Sequence, residues 1–148
     1  MEQDRIEREV VIAASPERVW EIITQAEHVG KWFGDSAEID LRPGGTIVLR
    51  WEKHGTQYAT IEKIDEPRYF SYRWKPGVTG EKPSNADSTL VEFTLTPHEG
   101  QTRLRVVETG FSRLSLNESK RAEQFESNTK GWAIQLRDLE EYVQGLAA

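Results

Sequence analysis

Between residues 37 and 111, turns and the loop at 76–87 aside, the apolar side chains recur at every second position, and in the segments flanking that stretch, from Pro16 and from Glu118, they recur at helical spacing. This switching constrains the fold more than any other feature, because period two belongs to strands and a period near 3.6 to helices. Ile6, Val10 and Ile12 first share one face of a strand. Ser15-Pro16 then reads as a helix start, with Ser15 as cap and Pro16 in the first turn. Val19, Trp20, Ile22 and Ile23 give a short helix its apolar stripe, and 26–31 forms a second short turn running into Trp32-Phe33-Gly34. Strands are expected at 37–41, 46–51, 58–64, 69–74, 88–96 and 102–111. Turn signals separate them at Arg42-Pro43-Gly44-Gly45, His54-Gly55, Asp65-Glu66-Pro67-Arg68 and Pro97-His98-Glu99-Gly100. Asn117 caps a charged helix expected to kink near Gly131. Beyond it Trp132, Leu136, Leu139, Val143 and Leu146 form one stripe of a helix of about four turns. A run of strands with helices at its ends specifies the α+β class. The sheet is an antiparallel meander with one apolar face, and the C-terminal helix is its cover. A chain of 148 residues suits a single domain spanning 1–148.

Composition narrows the function classes. Lys plus Arg number 19 and Asp plus Glu 25, for a net charge of −6, which disfavours a nucleic-acid partner. No window approaches the roughly 18 apolar residues of a membrane span, and Met1–Arg5 lacks the pattern of a secretory leader. Cysteine is absent, which removes disulfides, thiol catalysis and thiolate metal sites. His28, His54 and His98 lie far apart without metal-ligand spacing, so neither metal nor cofactor is expected. These features place the expected protein in the cytoplasm, off the membrane.

Against a mean hydropathy of −0.66 the chain carries five Trp, four Tyr and five Phe. Phe70, Tyr72 and Trp74 share one face of their strand, Trp51 and Phe93 lie on the same predicted concave surface, and Trp132 and Leu136 open the helical stripe that faces it. Trp32 and Phe33 stand at the end of the short helices. Such rings line either a ligand pocket or a plain core; their polar tips suit a partly wet pocket. Glu108 falls between Val106 and Gly110 on the inward face, where a buried carboxylate must pair, protonate or serve a ligand. Arg8 shares the face of Ile6, Val10 and Ile12.

The segment Ala14-Ser15-Pro16-Glu17-Arg18-Val19-Trp20 resembles the opening motif of the START-like, or SRPBCC, superfamily, with one extra Ser. Trp32-Phe33-Gly34, Pro43-Gly44-Gly45, Ile64-Asp65-Glu66-Pro67-Arg68, Glu108-Thr109-Gly110-Phe111 and Gly131-Trp132 follow in the order of that superfamily's AHSA branch, which resembles the C-terminal domain of the activator of heat-shock protein 90 ATPase. The resemblance implies a helix-grip fold, in which a curved sheet wraps a long helix around a deep apolar pocket. It also makes the first and last strands neighbours, so an Arg8–Glu108 ion pair is expected at one end of the pocket. Three functions follow from it. The first is binding of a hydrophobic, lipid-like or aromatic small molecule by Trp32, Phe33, Trp51, Phe70, Tyr72, Trp74, Phe93, Trp132 and Leu136, with Glu108 or Arg8 fixing orientation. The second is cyclase- or aromatase-like catalysis, for which Glu108, with Tyr72 second, would be the acid–base group. The third is a chaperone interaction, which the length disfavours because full activators carry a separate N-terminal domain. Exposed strand edges permit a homodimer. The loop from Pro76 to Asp87 is read as a pocket rim or a solvated connection, and the charged 118–126 stretch as a solvated helix face or a partner surface.

Overall fold

The computed structural model describes residues 4–53, 55–76, 83 and 87–147. His54 and nearly all of the loop expected to form a rim, 77–82 and 84–86, lie outside the described residues. The chain runs β1 (Arg5–Ile12), α1 (Pro16–Thr24), α2 (Ala26–Trp32), β2 (Ser36–Ile39), β3 (Thr46–Trp51), β4 (Gly55–Asp65), β5 (Tyr69–Trp74), β6 (Thr89–His98), β7 (Gln101–Thr109) and α3 (Glu118–Ala147). The seven strands form one antiparallel sheet in the order β1-β7-β6-β5-β4-β3-β2. The fold is α+β of the helix-grip type: β2 to β7 meander, β1 closes against β7, and α3 packs on β1 and α2.

Local chemistry sets these boundaries. Ser15 accepts a hydrogen bond from the Arg18 N–H and caps α1, with Pro16 following it in the first turn. Asn117 caps α3 by accepting from the Lys120 N–H at 2.8 Å. Between β2 and β3, a Cβ on Gly45 would lie 1.9 Å from the Asp40 carbonyl oxygen, so this turn admits only glycine. A register shift between Ile61 and Lys63 marks a bulge in β4, a device that bends a strand and strengthens its twist.

Inward positions alternate through the strands: Ile47 and Leu49, Ala59 and Ile61, Phe70, Tyr72 and Trp74, Val91, Phe93 and Leu95, Leu104 and Val106 are all buried. From the helices, Val19, Trp20, Ile22, Ile23, Trp132, Leu136, Leu139 and Val143 join the same core.

Several expectations need correcting. The hairpin between β6 and β7 turns at Glu99-Gly100 alone, because Pro97 and His98 pair with Thr102 and Gln101. Phe111 leaves the sheet and starts a short 3-10 turn, where it is buried. No break occurs at Gly131: α3 is one helix of 30 residues, about 45 Å long. Leu146 is 42% exposed, so the buried stripe ends at Val143. Arg8 does not meet Glu108. It pairs with Val106 in register on the edge strand, where its charge stays in water, and Ile6 is the residue opposite Glu108.

Candidate functional site

Trp74 ends β5, Thr89 begins β6 and Glu108 lies near the end of β7, so three adjacent strands bring these side chains to one end of the sheet. Asn128 and Trp132, four residues apart on one face of α3, come down on them. Glu108 is 0% exposed. Its Oε2 accepts from the Trp74 indole N–H at 2.7 Å and the Thr89 hydroxyl at 2.5 Å. Its Oε1 accepts from the Trp132 indole N–H at 2.8 Å and the Asn128 amide at 2.9 Å. Gln124 donates in turn to the Asn128 carbonyl at 2.7 Å, which fixes the orientation of that amide. A carboxylate offers about four acceptor positions, and all are filled by neutral donors. Such bonds to a charged group meet the cost of burying it without a cation. Arg8 is exposed and contributes nothing here. Glu108 is therefore a fixed acceptor at the junction of sheet and helix. To take a proton from a substrate it would first have to give up one of these bonds.

Around this anchor the rings form one connected set. Phe33 is its hub, with ring centroids 5.2 Å from Trp32, 5.8 Å from Trp51, 5.9 Å from Trp74 and 5.7 Å from Trp132. Phe93 reaches Trp132, Tyr72 and Phe70 within 6.1 Å. Phe33 is placed by the end of α2, where the backbone turns through Gly34 at φ +85. A Cβ on Gly34 would sit 3.1 Å from the Arg50 carbonyl oxygen, so the strained turn also lets α2 approach β3 closely. Trp32 is held separately, its N–H donated to the Ile22 carbonyl oxygen at 3.0 Å.

Phe33 separates two spaces. On its inner side, between α1, α2 and the sheet, an apolar cavity of about 20 Å³ is lined by Ile23, Trp32, Leu49, Phe70, Tyr72 and Phe93 among others. That is room for about one water molecule, so the deep pocket is nearly filled by the protein's own rings. The Tyr72 hydroxyl points into this packing and has no hydrogen-bond partner among the described residues. Burial, and after it the charge of Glu108, push its pKa well above the ordinary phenol value, so it stays protonated. On the outer side of Phe33 an open cleft of about 170 Å³ is lined by Phe33, Trp74, Ser127, Asn128, Gly131, Trp132 and Gln135.

The structure thus gathers Trp32, Phe33, Trp51, Phe70, Tyr72, Trp74, Phe93 and Trp132 into one ring network and joins Glu108 to it through two indoles. Leu136 is buried in the same core one turn beyond Trp132. Asn128, Gln124 and Gln135 escape a reading based on hydropathy, because they are polar residues on helix faces assigned to the solvent; Thr89 escapes it because it is polar, although its parity is that of Val91, Phe93 and Leu95. The helical stripe held the signal for one of them: continued backwards from Trp132 by a step of four, it lands on Asn128.

Among the described residues no cluster of His, Asp and Glu could hold a metal ion, and no helix is long and apolar enough to cross a membrane. The family model for "Activator of Hsp90 ATPase homolog 1-like protein" matches residues 13–144. No curated protein matches the sequence. Among solved structures, protein MLL2253 from Mesorhizobium loti is 22% identical with a TM-score of 0.77, covering 95% of this chain and 96% of that one. The Aha1 dimer from Colwellia psychrerythraea is 19% identical with a TM-score of 0.75, covering 95% and 96%. PFC0360w, an HSP90 activator from Plasmodium falciparum, is 17% identical with a TM-score of 0.74, covering 96% and 97%. At these identities the likeness is one of fold.

Proposed function

Since the chain belongs to the Activator of Hsp90 ATPase homolog 1-like family, whose members share a sheet gripping a long helix, we propose that it is a single-domain binding protein for a small, ring-bearing or otherwise apolar molecule. The observation that carries this reading is the open cleft of about 170 Å³ walled by Phe33, Trp74 and Trp132. A cavity of about 150 Å³ accepts a benzene-sized guest, so this cleft takes one ring or a compact alkyl group as it stands. Phe33, Trp74 and Trp132 contact the ligand. Trp51, Phe93 and Leu136 build the wall behind them, and Glu108 holds the two indoles in place. Trp32, Phe70 and Tyr72 line the inner space, which a longer guest reaches only by moving Phe33. Arg8, on the outer edge, has no part in it. A cyclase-like reaction is disfavoured, because the one buried carboxylate among the described residues is saturated by four donors.

The test is a two-dimensional NMR titration of the indole N–H signals with a panel of single-ring and short-chain compounds, beside a thermal-shift screen. Binding should move the Trp74 and Trp132 signals together and raise the melting temperature. A panel that leaves both signals unmoved would remove the proposal.

A second reading has its own observation: the family takes its description from an ATPase activator, and PFC0360w, of the same fold, is an HSP90 activator. In that reading the chain stimulates a heat-shock chaperone ATPase, alone or as a dimer like the Colwellia protein. An ATPase assay with purified chaperone, read with and without this protein, decides it.

A further inference from the structure

The cleft is lined by aromatic and neutral polar residues, and among the described residues that line it there is no lysine or arginine. Directly beneath it Glu108 is fully buried, and its four hydrogen bonds come from neutral groups. Three of those partners present N–H groups, which can only donate, so the carboxylate acts there as an acceptor and none of the four cancels its negative charge.

The two indoles strengthen the same field. Trp74 and Trp132 lie 6.0 Å apart, inclined by 34°, and both turn their N–H toward Glu108. The edge of an indole is its positive part, most strongly at the N–H, and here both N–H groups are taken up by the carboxylate. The ring faces carry the negative part of the quadrupole, and it is a face turned to the cleft that would attract positive charge. Gln135 adds a buried carbonyl oxygen, Oε1, with no hydrogen-bond partner among the described residues. Ring faces, an unsatisfied acceptor and a buried negative charge are all complementary to a positively charged guest.

We infer that the cleft binds a small soluble organic cation, an alkylated ammonium group of about the size of trimethylammonium, through the faces of Phe33, Trp74 and Trp132 and the charge of Glu108. This rests on the cleft being the binding site proposed above and names the chemistry of its guest. The apolar methyl groups fill the ring-lined space. The charge, spread over them, is attracted by the rings and by Glu108 without displacing any of the four hydrogen bonds.

Choline and 3,3-dimethylbutan-1-ol test it directly, because they share one shape and differ in a positive nitrogen against a neutral carbon. Each is titrated into the wild-type protein while the Trp74 and Trp132 indole N–H signals are followed. Choline should bind about tenfold more tightly, the scale of a partly desolvated cation–π contact. An alcohol that binds equally or better overturns the cation and leaves the aromatic site standing. If neither compound moves either signal, the cation falls, and the single-ring panel described above decides separately whether the site falls with it. The variant E108Q, shown to be folded by its NMR spectrum, should lose the preference for choline; a preference kept in full overturns the role given to Glu108. The wild-type pair decides the cation without that variant. Phosphatidylcholine vesicles provide a last arm: binding to vesicles tighter than to choline would overturn the assignment to a free soluble molecule in favour of a lipid headgroup.

Discussion

At the scale of single residues, Glu108 is the most consequential side chain in the molecule. The substitution Glu108→Gln keeps its shape but replaces one acceptor oxygen with an NH₂ group, which faces the Trp74 and Thr89 donors or those of Trp132 and Asn128. One donor then loses its acceptor in a buried place if the amide faces Trp74 and Thr89, whose hydroxyl can turn to accept, and two if it faces Trp132 and Asn128. At roughly 1–3 kcal/mol for each orphaned group, the variant should be less stable by about 1–6 kcal/mol in urea denaturation. Asp4 gives a pH prediction. Its carboxylate accepts from the Ser112 hydroxyl at 2.7 Å and from the Ser112 and Gly110 backbone N–H groups, tying the start of β1 to the end of β7. Partial burial works to raise its pKa, but those bonds and Arg113 outweigh it, so the value falls below the ordinary 3.8. A carboxyl lowered in the folded state contributes stability above the unfolded value, and that contribution is lost as pH falls through the folded one. The stability difference between wild type and Asp4→Asn should therefore be full at neutral pH and shrink in acid, below about pH 4. A difference that stays constant across that range would deny Asp4 this role.

At the scale of elements, α3 and the β2–β3 turn respond in opposite senses to the same change. Gly45→Ala forces a methyl group to 1.9 Å from the Asp40 carbonyl oxygen. The turn must open, at a cost on the order of 2 kcal/mol or more in equilibrium unfolding. Gly131 sits inside α3 on the wall of the cleft, and a Cβ there meets nothing within 4 Å. Gly131→Ala should stabilise the helix by up to about 1 kcal/mol. Gly131→Leu should put a side chain into the cleft and abolish ligand-induced shifts of the Trp132 signal while the fold persists. The same glycine shows why the helix runs on unbroken through this position. A helical glycine with free space around it weakens the helix by only about 1 kcal/mol, and the core on both sides of it, from Phe125 to Val143, holds the helix continuous. Elements were legible where alternation was strict: β3 and β5 begin and end where the pattern does. They were less so where a polar side chain has a buried task. Asn128 reads as solvent-facing by hydropathy, and only its partner Glu108, 20 residues away in sequence, shows otherwise. Arg8 misled for the converse reason. Its parity places it with Ile6 and Val10, but parity does not reveal that β1 is the edge of the sheet.

For the molecule as a whole, the inward rings and the inward carboxylate were readable from spacing. The space between them was not, because volume depends on how closely α3 and α2 approach the sheet. Phe33, at the centre of four ring contacts, divides what could have been one deep pocket into a filled interior and an open cleft. The variant Phe33→Ala should join the two spaces. It should lower stability by about 3–5 kcal/mol, as for other buried aromatic truncations, and admit larger apolar guests than the wild type in a fluorescent-probe displacement assay. An unchanged guest size would show that Phe33 is not the partition.

The strand order carries a consequence for how the chain is made. Among the described strands β1 pairs only with β7, and Ile6 finds its place opposite Glu108. A nascent chain emerging at about 5–20 residues per second would thus hold its first strand without a partner for on the order of 5–20 s. During that time Ile6 and Ile12 have no sheet to bury them, and β7, the last of the described strands in chain order, is the one that finally shelters β1.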